Sequence, residues 1–173
     1  MAKIPYVERE NASPEIKALY DQVESKLGLV PNVVKAMANS PVLLQGFMPF
    51  LGAALGPSAV DAPLKELAII TTSKLNGCSY CTAHHTVAGK RAGLSVEKIN
   101  ALPDPDSSLL NEKEKAVVRF AKEVTEDVSA SDESLNQLRR YFNDSQIAEL
   151  TLVIGVFNVL TRFADTFKVD LEF

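Results

Sequence analysis

The chain has 173 residues, 46% of them hydrophobic and 23% charged, and a formal net charge of -4. That length supports one domain over 1–173 with a substantial core and is too short to divide comfortably into two. The mildly acidic balance gives no general reason to expect nucleic acid or anionic membrane as partner, and the short pairs Lys90-Arg91 and Arg139-Arg140 read as solvated helix faces rather than a binding patch.

Residues 1–12 read as an extended arm. It carries Lys3, Glu8, Arg9 and Glu10 and has no apolar run long enough for a signal peptide or a membrane anchor, so the expected location is cytoplasmic. Ser13-Pro14 supplies an N-cap and a first-turn proline for a helix to about Lys26, stopped by Gly28. Its apolar positions Ile16, Leu19, Tyr20, Val23 and Leu27 recur at helical spacing. Pro31 opens a short helix through Met37. Ser40-Pro41 opens another, whose Leu43, Leu44, Phe47, Met48, Phe50 and Leu51 read as a packed core face rather than a cofactor site.

After a loop over 56–60, Asp61 is predicted to cap a helix of about four turns. The β-branched run Ile69-Ile70-Thr71-Thr72 alone would suit a strand, but Leu64, Glu66, Leu67, Ala68, Lys74 and Leu75 around it favour a helix. Asn76-Gly77 ends that helix, another runs from about Cys78 to Ala92 and closes at Gly93, and a short one begins at Ser95. The segment 103–108, with two prolines and two aspartates, is a connector. Asn111 is predicted to cap a helix through about Val128 with Ala116, Val117, Phe120, Ala121 and Val124 buried, and Ser131 one through Tyr141. Asp144 is predicted to cap the last helix, whose apolar residues leave hardly any polar face, so it must be covered by its own domain or a neighbouring subunit.

The predicted organisation is therefore all-α: an N-terminal arm with helices over 1–55, a motif-bearing half over 60–102 and a second half over 111–173. Asp61-x-x-Leu64-x-Glu66-Leu67 recurs 83 residues later as Asp144-x-x-Ile147-x-Glu149-Leu150, a short echo that hints at an internal helical repeat. Thr161, Ala164 and Lys168 then stand where Cys78, Cys81 and His85 would fall. Any redox chemistry belongs to the first copy. On the last helix, Arg162 and Asn158 lie one turn apart and are expected in a structural ion pair or a subunit contact.

Both cysteines and both histidines of the chain fall in Glu66–His85. Two closely spaced cysteines in a reducing compartment point to redox chemistry or metal binding rather than a structural staple. On a helix Cys78, Cys81 and His85 share one face, while His84 points ~100° away and reads as surface or packing. A helix mouth stabilises a thiolate, and a nearby imidazole can take its proton. If the Glu66 helix runs antiparallel across Gly77, Glu66 lies ~16 Å from the turn and His85 ~12 Å, with Cys81 at only ~6 Å. Glu66 is thus expected to pair with His85, which in turn serves Cys81 as base.

The unbroken pattern Glu66, Cys78-Ser79-Tyr80-Cys81, His85 resembles the AhpD-like alkylhydroperoxidases of the carboxymuconolactone decarboxylase superfamily, and the length and N-terminal region look similar to their peroxidase-related branch. The resemblance implies a multi-helical all-α bundle with an internal repeat, a homo-oligomer (trimer or hexamer), and a dithiol that reduces hydroperoxides or passes electrons to a peroxiredoxin. It implies Cys81 as nucleophile, Cys78 as resolving thiol and Glu66 with His85 as proton relay, with no cofactor and no resident metal. Tyr80 departs from the histidine that well-known members carry between the cysteines; a phenol with an ordinary pKa of ~10 is a poor base at neutral pH, so the relay is expected to be shorter or different. Two other functions fit the same residues. One is a zinc-stabilised helical module, disfavoured because three ligands on one helix give poor tetrahedral geometry. The other is an assembly whose dithiol senses oxidants without turnover.

Overall fold

The computed structural model describes residues 1–172, which form nine α-helices and no strand among those residues. The helices are α1 Pro14–Leu27, α2 Asn32–Met37, α3 Pro41–Leu55, α4 Ala62–Leu75 and α5 Ser79–Arg91, then α6 Val96–Ala101, α7 Glu112–Glu126, α8 Asp132–Leu138 and α9 Asp144–Phe167. The expected extended arm contains one 3-10 turn, Arg9–Asn11.

The molecule is built around α4. Every residue from Leu64 to Ser73 is buried, including the β-branched run, because α5, α7 and α9 pack around it. Tertiary burial here outweighs the weak strand preference of isoleucine and threonine. On one side Leu67 and Ile70 join Ala116, Val117 and Phe120 of α7 and Leu150 and Ile154 of α9. On the other, Ile69 meets Cys78, Cys81, Val153, Phe157 and Leu160. A smaller cluster of Ile16, Tyr20, Val34 and Leu44 seats α1 on α2 and α3.

Lys65, 3% exposed on this central helix, would be costly without partners. It donates to the carbonyls of Ala54 at 3.0 Å and Gly56 at 2.9 Å, bonds Ser58, and pairs with Glu149 at 2.9 Å. The loop after α3 is thereby fastened to α9. Glu149 is the echo of Glu66, and Leu64 and Leu67 are buried as their echoes Ile147 and Leu150 are.

Several local expectations change. Asn143, not Asp144, caps α9: its side chain accepts from the Gln146 N–H while Gln146 accepts from the Asn143 N–H, a reciprocal box that leaves Asp144 as the first helical residue. Asp61 stands at the cap position of α4, but its side chain makes no capping bond. Arg162 is exposed and donates to Asn158 Oδ1 at 2.6 Å, and it enters no ion pair among the described residues. α3 buries only Leu44 and Ala54, leaving Leu43 71% and Phe50 42% exposed.

α9 has the length and apolarity of a membrane span, with mean hydropathy 1.6 over its most apolar stretch. Half of that stretch is buried in the bundle.

Candidate active site

Gly77, in the left-handed conformation at φ 67°, turns the chain from α4 into α5. A side chain would be strained in that conformation, so glycine sets the hairpin that brings the two motif helices together. Cys78 then takes the N-cap of α5, with its sulfur accepting the Cys81 N–H at 3.3 Å. Both cysteines are free thiols and almost fully buried, 1% and 4% exposed.

The antiparallel return places Glu66 beside His85: the imidazole Nδ1–H donates to Glu66 Oε2 at 2.8 Å. Glu66 is 9% exposed, and the ring of His85 packs edge-on against Phe157 with centroids 4.5 Å apart. Ring orientation and tautomer are therefore fixed together, leaving Nε2, which has no hydrogen-bond partner among the described residues, as the nitrogen able to take a proton.

The two thiols are electrostatically unequal. The Cys81 thiol donates to the Cys78 sulfur, and with the backbone N–H groups of the helix mouth this brings the Cys78 pKa down to about 7 despite burial. The same hydrogen bond, with burial and the adjacent Cys78 charge, pushes the Cys81 thiol far up. Asp165 of α9 adds negative potential at both sulfurs.

A cleft of about 220 Å³ opens beside this helix mouth, lined by Cys78, Ser79, Tyr80, Ala164, Asp165 and Lys168 among others. Ala164 is the echo of Cys81. The second copy thus supplies a wall of the cleft.

Tyr80 has a separate set of partners. Its hydroxyl donates to Glu172 Oε1 at 2.8 Å and accepts the Val33 N–H at 3.3 Å; burial foremost, and the Glu172 carboxylate, push its pKa up. His84, expected as surface or packing, is half-buried, meets Glu172 Oε2 at 2.8 Å and lies 4.5 Å from the Tyr80 ring. Asp165 and Glu172 were not identifiable from sequence, since each reaches the motif only through folding, Glu172 across 88 residues to His84. Among the described residues no group of three or more histidine, cysteine, aspartate or glutamate side chains is arranged to hold a metal ion.

An all-α bundle with a dithiol at one helix mouth and a carboxylate-oriented histidine behind it defines an AhpD-like architecture. Residues 41–123 match the sequence model of the carboxymuconolactone decarboxylase family. The uncharacterized protein YdfG of Bacillus subtilis is 26% identical over 110 residues, covering 62% of this chain and 75% of its own. A solved alkylhydroperoxidase AhpD core structure, a peroxidase-related protein of Ralstonia eutropha JMP134, superposes with TM-score 0.86 at 20% identity over 99% of this chain and 92% of its own. The debrominase Bmp8 superposes with TM-score 0.82 at 23% identity over 96% and 90%. The chain has the AhpD-like all-α fold, and its segment 41–123 is similar to the carboxymuconolactone decarboxylase family.

Proposed function

We propose that the protein is a thiol-dependent oxidoreductase that uses Cys78 and Cys81 as a two-electron couple to reduce small hydroperoxides. Reducing equivalents return from a thiol or dithiol donor, a peroxiredoxin-type disulfide being one partner of suitable chemistry. The observation that carries this reading is a pair of free cysteines joined at a helix mouth, with Glu66 and His85 hydrogen-bonded at 2.8 Å on the neighbouring turns. The dithiol supplies the electrons and His85 Nε2 accepts a thiol proton, while Glu66 holds the imidazole in the tautomer that can do so. The free thiols fit a reducing compartment such as the cytoplasm.

Turnover of cumene hydroperoxide with a dithiol reductant tests the proposal. Wild type should consume reductant catalytically, and Cys78→Ala and Cys81→Ala should each lower the rate by ~10³-fold or more, since either removes the couple. Undiminished turnover in either variant overturns it. A bromopyrrole is the second acceptor to assay, because the debrominase shares this fold.

A further inference from the structure

Both thiols are covered, and part of their cover is not helical. α9 ends at Phe167, and Lys168, a non-glycine residue at φ 50°, turns the chain in the left-handed region. That conformation is costly for a residue with a side chain, so the direction taken afterwards depends on the bonds the tail makes. Lys168, Val169 and Asp170 form one wall of the cleft beside Cys78. Val169 still packs into the core cluster that holds both cysteines, whereas Leu171 is exposed.

Beyond Val169 the tail is held by hydrogen bonds that each use a side chain on at least one partner. Asp170 donates its N–H to the Tyr6 hydroxyl at 2.9 Å, and its carboxylate accepts from that hydroxyl at 3.2 Å and from the Ala2 N–H at 3.0 Å. Its carbonyl accepts from Asn32 Nδ2 at 3.0 Å. Glu172 then bonds the Tyr80 hydroxyl and meets His84 Nε2, each at 2.8 Å, and accepts the Asn32 N–H. The tail thus crosses from the end of α9 over the first turns of α5 to the start of α2, and one of its anchors, Tyr80, is a residue between the two cysteines. The remaining walls are helices locked by Ile69, Val153, Phe157 and Leu160. A short segment with polar ties and little apolar burial opens at far lower cost than such packed helices.

We propose that residues 170–172 are a strap that gates the dithiol, anchored by Glu172 on Tyr80 and by Asp170 on Tyr6, and that the thiols react when these bonds part and the strap lifts. Cys78 and Cys81, 1% and 4% exposed, are out of reach of a reagent until some wall moves, and the strap is the wall built to move. The phenol standing where a histidine was expected thereby has a positioning task. Burial and the Glu172 carboxylate keep it protonated, as a hydrogen-bond donor to the strap must be. The purpose of the gate rests on the dithiol reading above, since it admits an oxidant or a reducing partner to the couple; access itself is measurable without turnover.

Iodoacetamide alkylation of the reduced full chain, followed by intact mass, tests the gate. Tyr6→Phe keeps the ring and removes both hydrogen bonds between Tyr6 and Asp170, and Tyr80→Phe removes the anchor for Glu172. In each variant total thiol alkylation should speed up ~10-fold, with the midpoint of its pH dependence unchanged because the sulfurs keep their own partners. Hydrogen exchange separates lifting of the strap from loss of the fold: amides of 168–172 should exchange faster in both variants while those of α4 keep wild-type protection. Unchanged alkylation in either variant, or faster alkylation matched by equal loss of protection in α4, overturns the gate. Failure of the dithiol reading shows differently, as a chain that does not turn over hydroperoxide although its alkylation still follows the opening of the tail.

Discussion

Glu66 and His85 illustrate what one contact can do. Twelve residues before Cys78, Glu66 has no local reason to be near the thiols; the Gly77 turn folds it back until its carboxylate meets Nδ1 at 2.8 Å. Glu66→Gln keeps the shape but weakens the hold on the imidazolium, and turnover should fall by ~10²-fold with little change in melting temperature. Steady-state rates across pH check this, and an unchanged rate would place the pair outside the chemistry. Cys78 gives a second prediction. Its pKa near 7 lies below the ordinary thiol range, and the groups facing it are Cys81 and Tyr80 on α5 with Asp165 and Lys168 at the end of α9. Since the thiolate is the reactive form, the rate of Cys78 alkylation should climb as pH rises through about 7 and level off above. By linkage, a depressed thiol pKa adds stability to the reduced fold as pH rises from about 7 towards 9, and that increment is lost as pH falls through about 7. The pairing of Glu66 with His85 was readable from helix geometry alone. The inequality of the two thiols was not, because it depends on which sulfur caps the helix and which lies inside it.

At the scale of elements, most helix boundaries follow from local chemistry. Ser13-Pro14 and Gly28 bound α1, and Asn111 with Glu114 forms the reciprocal box at the start of α7. α9 is the exception. Asn143 and Gln146 compete with Asp144 for the same cap, and which side chain reaches the N3 amide is decided by the approach of the preceding loop. Packing between elements is equally specific at Gly89, where an added Cβ would stand 3.1 Å from Ile70 Cδ1 and 3.3 Å from Leu94 Cδ1. Gly89→Val should therefore overpack the α4–α5 contact and destabilise by about 2 kcal/mol in urea unfolding. A variant as stable as wild type would mean that these helices can separate freely. Glu172 joins elements through charge: it holds Tyr80 and His84 of α5 and the Asn32 N–H at the start of α2. Glu172→Ala should lower stability by about 2 kcal/mol by orphaning these groups, with no loss expected if water replaces the carboxylate fully.

For the whole molecule, the sequence reading of α3 as a core helix met a limit that composition cannot overcome. Its apolar residues obey helical spacing, yet Val42, Leu43, Phe50 and Leu55 are left exposed, as are Leu152 and Val159 on α9. Periodicity reports that a face is apolar, and it does not say whether the same chain or a second copy covers it. We propose that these faces meet other copies of the chain in a homo-oligomer, trimer or hexamer. Leu43→Asp and Leu152→Asp, both on exposed side chains, should shift the mass measured by light scattering towards the protomer. A wild-type protein that is already monomeric at micromolar concentration would refute the assembly. Arg162 belongs to the same lesson: of the ion pair or subunit contact expected for it, one chain shows only an exposed side chain bonded to Asn158.

The central claim is that Cys78 and Cys81 form a working redox couple, and the intact mass of the protein tests it most directly. One equivalent of organic hydroperoxide should remove two hydrogens, blocking both thiols from alkylation, and a dithiol reductant should restore them through repeated cycles. Two thiols that survive the peroxide unchanged, or that end as irreversible oxygen adducts with no disulfide, would contradict the account.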